Sequence, residues 1–273
     1  MSKQFTTRTL GAVVALSAGW LASHSAVAQD AAKAAEPEKQ KGWESVASAG
    51  VTLTRGNSET FLGTVGINSQ RKWAKDEILL GASMGYGENT VTGARGSDPT
   101  QPGVKPVEHN TTDQYIKGFG QYNRLLTERF YAGVRLDGLS DNIAGIDYRF
   151  TVSPLAGYYL IKKPNTTLAV EAGPGFVFEK LNGQEAEQYV TLRFAERFEH
   201  KFSDRAKVWQ SAEWLPRVEN FGDYTFNFEL GASAAISKSV DLRVVFQDSY
   251  RSEPSGGRKN NDMKLIAGIG YRF

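Results

Sequence analysis

The chain of 273 residues contains no cysteine. That excludes disulfides, thiolate metal sites and the acylated cysteine of a lipoprotein anchor. Beyond the first 30 residues there is no run of about 18 apolar residues, so no segment can cross a membrane as a helix. If the chain spans a bilayer, it must do so as a closed barrel, the other structure that satisfies every backbone group in lipid. Histidine is scarce, with three in the whole chain. One of them, His24, lies within the first 28 residues, which leaves His109 and His200 for any acid–base chemistry. Neither falls into a ligand spacing with other metal-binding residues, so no metal and no cofactor is expected.

Charge of one sign is also missing. Basic and acidic residues number 32 and 30. Removing residues 1–28 takes away Lys3 and Arg8 and no acid, which makes the two signs equal. Such a balance argues against a nucleic-acid partner, which needs a basic patch.

The start of the chain reads as a secretory signal over residues 1–28. Lys3 and Arg8 are followed by the apolar stretch Leu10–Leu21 and the small-residue site Ala26-Val27-Ala28. Residues 29–41, rich in Ala, Glu, Lys and Gln, read as a flexible periplasmic leader. From residue 42 to 273 one unit recurs: 10 to 14 residues of alternating polarity, then turn residues. About twelve such units fit.

Tyr224 to Ile236 shows the unit well. Tyr224, Phe226, Phe228, Leu230, Ala232, Ala234 and Ile236 share one parity; Thr225, Asn227, Glu229, Gly231 and Ser233 share the other. Ile146 to Leu160 repeats it, with Leu155 breaking the polar parity. The last segment places Phe273, Tyr271, Ile269, Ala267, Leu265 and Met263 on one face. This is the period of a strand with one apolar face. Outer-membrane barrels commonly end on such a strand, so Ile269, Tyr271 and Phe273 are expected to form a membrane-insertion signal read by the barrel-assembly machinery.

Counting back from Phe273 on the periplasmic side, connectors alternate short and long. Short ones fall near Ser237–Ser239, Glu199–Asp204, Lys162–Asn165, Thr127–Arg129 and Ala74–Asp76. The opposite connectors are Arg251–Asn261, Pro216–Asp223, Lys180–Glu187, Ser140–Ala144, Asn89–Thr112 and Arg55–Glu59. Short inner turns with longer outer loops, and aromatic residues gathered towards strand ends, are the outer-membrane pattern. The fold expected is therefore all-β, a closed antiparallel transmembrane barrel of about twelve strands in the Gram-negative outer membrane. Outer-membrane lipids would cover the apolar parity. A soluble barrel with its apolar face inward explains the alternation too. But a barrel of about twelve strands is wider than the roughly eight that side chains can fill.

Several segments look like one known family. They are the hairpin Gly50–Thr60 with its Gly56-Asn57 turn, Asp113-Gln114-Tyr115, Arg129-Phe130-Tyr131, Arg135-Leu136-Asp137, Gly157-Tyr158-Tyr159, Gly173-Pro174-Gly175, Asn261-Asp262-Met263 and the terminal Tyr271-Arg272-Phe273. In this order they resemble the salt-induced outer membrane proteins, over Trp43 to Phe273. The resemblance implies a barrel, an outer-membrane location and a link to salt or osmotic stress. It implies no catalytic residue.

With the apolar parity facing lipid, the charged parity points inward. The expected lumen network comprises Arg135, Asp137, Asp147, Arg149, Glu171, Glu179, Arg193, Arg197, Lys207, Glu213, Glu229, Asp241, Arg243 and Lys264. It reads in two ways: a structural set of paired charges, or the lining of a narrow path for ions or small solutes. Enzyme readings fare poorly. A lipid hydrolase needs a Ser–His pair at the lipid face; a protease site would need His109 with Glu108, Asp113 or Asp98 at the mouth. Glu196, Gln210 and Asp248 fall on the apolar parity, where they sit near headgroups or mark a bulge.

Overall fold

The structure, a computed structural model, describes residues 42–54, 58–92, 107–254 and 260–273. The expected signal segment, the leader and the Gly56-Asn57 turn lie outside these residues. Twelve strands follow one another: β1 (Glu44–Thr54), β2 (Ser58–Lys72), β3 (Asp76–Thr92), β4 (Val107–Leu125), β5 (Phe130–Asp141), β6 (Ile146–Lys162), β7 (Thr166–Leu181), β8 (Ala186–Ser203), β9 (Ala206–Pro216), β10 (Tyr224–Ala235), β11 (Val240–Arg251) and β12 (Asn261–Arg272). Each pairs antiparallel with its neighbours in sequence, and β12 closes on β1 from Val46↔Arg272 to Val51↔Ala267. The fold is a closed antiparallel twelve-stranded barrel. Every strand has at least 11 residues, and about 9–11 suffice to cross a bilayer when tilted.

Alternation decides the two faces. Leu160, Phe176, Phe178, Phe194, Leu230, Leu242, Val244 and Leu265 are exposed on the outside. The opposite parity is turned inward, where Glu171, Glu179, Arg193 and Asp241 are buried. Leu155, the residue that breaks the polar parity of β6, packs inside with Tyr131, Tyr159 and Ala169. At one rim, outward aromatics follow one another around the barrel: Phe194 on Trp214 at 5.5 Å, Trp214 to Tyr224 at 6.4 Å, and Tyr224 on Tyr250 at 5.7 Å. Tyr271 stacks on Phe273 at the opposite rim, with 6.2 Å between centroids. Amphipathic rings at two levels form the girdles of a membrane barrel.

Several expected boundaries move. β8 runs on to Ser203, so Glu199 and His200 belong to a strand, not a turn. His200 accepts or donates at Nδ1 with Thr166 Oγ1 (2.8 Å) and meets the ring of Phe202 edge-on. β3 and β4 extend to Thr92 and from Val107, which puts the backbone of His109 in β4. The connector between them, 93–106, is outside the described residues. Ile146 is buried at 4% exposure, not lipid-facing. The cause is a register shift between Ile146 and Tyr148 against β7, which inserts one residue at the strand end. Glu196, Gln210 and Asp248 lie in unbroken register, so no bulge turns them inward. They stay on the outer face, where Gln210 Nε2 donates to Glu196 at 2.9 Å.

Candidate functional site

A twelve-stranded lumen is wide enough that only long side chains reach across it. The sequence supplies them on β4 to β9, and they meet at Glu171 on β7. Its Oε1 accepts from Gln121 Nε2 (2.8 Å), Tyr131 OH (2.8 Å) and Arg197 Nη2 (2.7 Å); its Oε2 accepts from Arg193 Nη1 (2.8 Å). A carboxylate offers about four lone-pair sites, so Glu171 is saturated. Its side chain is wholly buried, and that of Arg193 is 4% exposed. Burying such charges costs several kcal/mol per ion and is offset only by close pairing and complete hydrogen bonding. The four donors supply that.

The network continues in both directions. Arg193 Nε donates to Glu213 at 2.6 Å, and Asn227 Nδ2 to the other Glu213 oxygen at 3.3 Å. Towards the inner rim, Gln121 donates to Asn123, and Asn123 to Glu77, each at 3.0 Å. Glu77 also takes Tyr159 OH at 3.0 Å and the Lys72 ammonium at 3.0 Å. Arg135 grips Asp137 (2.7 Å) and lies 4.1 Å above the Phe119 ring. Gln121–Glu171, Tyr131–Arg197 and Glu77–Tyr159 each join strands that are not neighbours in the sheet. Glycines make room for the aromatic members: a Cβ on Gly157 would lie 2.2 Å from the Tyr131 ring.

A second centre sits at the rim where the aromatic run lies. Glu179 accepts from Arg149 (2.7 Å) and Tyr189 (2.6 Å) on its neighbour strands, and from Arg251 (2.9 Å) on β11. Arg217 lies 3.8 Å over the Tyr189 ring and pairs with Glu187 and Asp223. A gap of about 40 Å³ remains among Arg149, Arg217 and Arg251, room for little more than water. On the far wall Asp241 holds Arg243 (2.6 Å) and Arg272 (3.2 Å), while Lys264 pairs with Asp113 (2.7 Å) and Asp262 (3.2 Å).

Thus the structure gathers Arg135, Asp137, Arg149, Glu171, Glu179, Arg193, Arg197, Glu213, Asp241, Arg243 and Lys264 into bonded sets inside the barrel. Lys207 is also inward, paired with Glu199 at 2.9 Å near the inner rim. Glu229 is inward but pairs with no cation among the described residues; Trp209 Nε1 and Gln247 Nε2 donate to it at 2.7 and 2.8 Å. Asp147 is the exception. The bulge that buries Ile146 leaves Asp147 at the exposed rim, 4.0 Å from Lys180 and apart from the network. Ile269, Tyr271 and Phe273 lie on the outer face, more than half exposed.

Glu77, Gln121, Asn123, Tyr131, Tyr159, Tyr189 and Glu199 are among the members that pattern reading missed, as is Lys117, which faces inward without joining a bonded set. Tyr115, Lys117, Phe119 and Gln121 share one parity, mixed in polarity, and β4 turns all of it inward. The outward parity there carries Ile116 and Tyr122, exposed to 56% and 42%. That contrast was the available signal.

A concavity of about 750 Å³ is lined by Val51, Val65, Met84, Tyr86, Ile116 and Ile269 among others. These side chains belong to the outward parity, so it is a groove of the apolar wall and offers little polar chemistry. Among the described residues no cluster of three or more His, Asp or Glu could hold a metal.

The family described as "Protein of unknown function, DUF481" matches residues 47–273. The uncharacterized protein YdiY of Escherichia coli (strain K12) is 23% identical over 270 residues, covering 97% of this chain and 98% of its own. Among solved structures, the NanC porin aligns with 84% of this chain and 100% of its own at a TM-score of 0.50 and 8% identity. An outer membrane channel from Pseudomonas putida F1 aligns with 90% of this chain and 100% of its own, with a TM-score of 0.46 and 11% identity. The barrel architecture is thus shared with the NanC porin, at an identity that speaks to fold alone.

Proposed function

The chain belongs to the DUF481 family of proteins of unknown function, and on that premise we propose that it is an integral outer-membrane barrel whose lumen is a narrow path for ions and small solutes. The observation that carries this reading is the uneven filling of the lumen. The β5–β9 side is packed with buried side chains such as Tyr131, Glu171 and Arg193. The β1–β3 side presents Ser48, Thr64, Gly66 and Ser83, and Asn68 among them is exposed. A lumen built only as a plug would have large side chains on both sides.

The charges inside are nearly all paired, so the path carries little net charge. The outer face, apolar over its length and banded by rings, is the surface that lipids would cover. Ile269, Tyr271 and Phe273 are the segment the barrel-assembly machinery would read. Residues 1–28 would be removed on export and 29–41 would remain in the periplasm. The resemblance to salt-induced outer membrane proteins adds a role in salt or osmotic stress. No catalytic role is proposed.

A second reading, a structural component of the envelope, is favoured by the bonds that cross the lumen. Glu179–Arg251 and Gln121–Glu171 tie distant strands together and stiffen the barrel. Planar-bilayer recording of the refolded protein separates the two. Discrete, small conductance steps are expected for the path. A correctly folded, heat-modifiable protein that conducts nothing sinks it and leaves the structural reading.

A further inference from the structure

Among the described residues, two charged side chains at mid-strand on the lumen side stand outside the ion-pair sets. Lys117 lies midway along β4, is exposed, and makes no ion pair among the described residues; its nearest ring is Tyr115, 5.6 Å from Nζ. Glu229 lies midway along β10, with both oxygens held by the neutral donors Trp209 and Gln247. In a ring of twelve strands, β4 and β10 are six apart either way round, so the two residues face each other across a diameter. Glu229 is the carboxylate whose field acts most strongly on Lys117.

The space beside Lys117 is open. Along its hydrogen-bonded row the next lumen-facing residues are Ser83, Gly66 and Ser48, all small. On the other side of the barrel the network around Glu171 fills the lumen. A solute passing through the open part therefore runs between the Lys117 ammonium and the Glu229 carboxylate; Lys264, at the same Tyr115 ring, is neutralised by Asp113 and Asp262. Glu229 is rigid, because Trp209 is wedged over Gly231, where a Cβ would lie 2.1 Å from the indole.

We propose that Lys117 and Glu229 form the constriction of the lumen, a pair of opposed charges with no ion-pair partner among the described residues, whose transverse field orients dipolar and zwitterionic solutes and balances small cations against small anions. The proposal rests on the pore reading above. Each charge alone would favour its counter-ion in the path. Together they nearly cancel along the axis, while the field across it remains.

The test is the cation-to-anion permeability ratio of the refolded full barrel in planar bilayers. Lys117→Gln should shift it towards cations and Glu229→Gln towards anions. Each shift is expected to reach about 25-fold, because one unit charge about 4 Å away in a water-like medium is worth about fivefold for a cation and about fivefold in the opposite sense for an anion. The double variant should return close to the parent. To keep folding out of the result, Lys117→Cys in this cysteine-free chain is modified after insertion with a positively or a negatively charged thiol reagent. The positive adduct should restore a ratio close to the parent's, and the negative adduct should shift it towards cations further than Lys117→Gln does. A parent that conducts while all these ratios stay within error of each other overturns the constriction but not the pore. A folded parent that does not conduct overturns both.

Discussion

Replacing Glu171 with Gln tests whether the lumen network holds the barrel together. The substitution keeps size and shape and leaves Tyr131 and Gln121 a carbonyl oxygen to donate to. It removes the charge that two guanidinium groups share. Arg193 keeps a second carboxylate, Glu213, at 2.6 Å. Arg197 does not. Among the described residues its remaining bonded partner is the Tyr131 hydroxyl at 3.3 Å, with the Glu77 carboxylate acting only from beyond bonding distance, and its Nε already lacks a partner. The main cost is therefore one orphaned cation. Breaking a buried pair from one side costs about 3–5 kcal/mol. The Arg197 side chain is 28% exposed to the lumen, so water recovers part of that, and about 2–4 kcal/mol is the expected loss. The assay is urea unfolding of the barrel in lipid vesicles, followed by tryptophan fluorescence; Trp209 and Trp214 report from the adjoining strand. Adding Arg197→Gln removes the orphan. The double variant should recover at least about 1 kcal/mol relative to the sum of the singles. A loss below about 1 kcal/mol for Glu171→Gln, the range of a solvent-exposed pair, would show that water floods this site and refute the reasoning.

Two further outcomes are expected. At Gly173 a Cβ would lie 2.1 Å from the Pro154 carbonyl oxygen, and backbone cannot swing aside; at Gly138 it would meet nothing within 4 Å. Gly173→Ala should lower stability by about 1–3 kcal/mol or more in the same urea assay, with Gly138→Ala close to neutral. Val244 is 51% exposed on the outer face; Val244→Arg should cost about 2–4 kcal/mol when the barrel sits in a bilayer. The same change should be nearly silent if that face met water, and urea midpoints in vesicles would tell.

How much was legible beforehand follows from where the information lies. Strand period is local, so the strands, their faces and the closed barrel could be read from runs such as Tyr224–Ile236. Which charges face inward follows from parity, and most of the expected network is inside. Partnership is not local. Glu171 meets Gln121 and Tyr131, 50 and 40 residues away, and no periodicity says which residues two strands apart share a level. That depends on strand number, tilt and register. Asp147 was misplaced because a single inserted residue at a strand end reverses parity. Glu199 was taken for a turn because a run of charges at a strand end looks like a loop. Lys117 escaped because its face mixes Tyr115 and Phe119 with polar residues, and mixed faces give no phase. Leu155 broke the pattern for a reason visible only in three dimensions: a small apolar cluster inside the lumen.

The central claim is an outer-membrane barrel with a lumen open on one side, and cysteine accessibility tests it most directly. Single cysteines at Asn68 and Lys117 on the open side, Ala195 on the filled side and Val244 on the outer face are placed in refolded barrels in vesicles. A small hydrophilic maleimide should label Asn68→Cys and Lys117→Cys and leave Ala195→Cys and Val244→Cys unmodified. Labelling at Val244→Cys with protection at Asn68→Cys and Lys117→Cys would contradict the account, because water and lipid would then lie on the opposite faces.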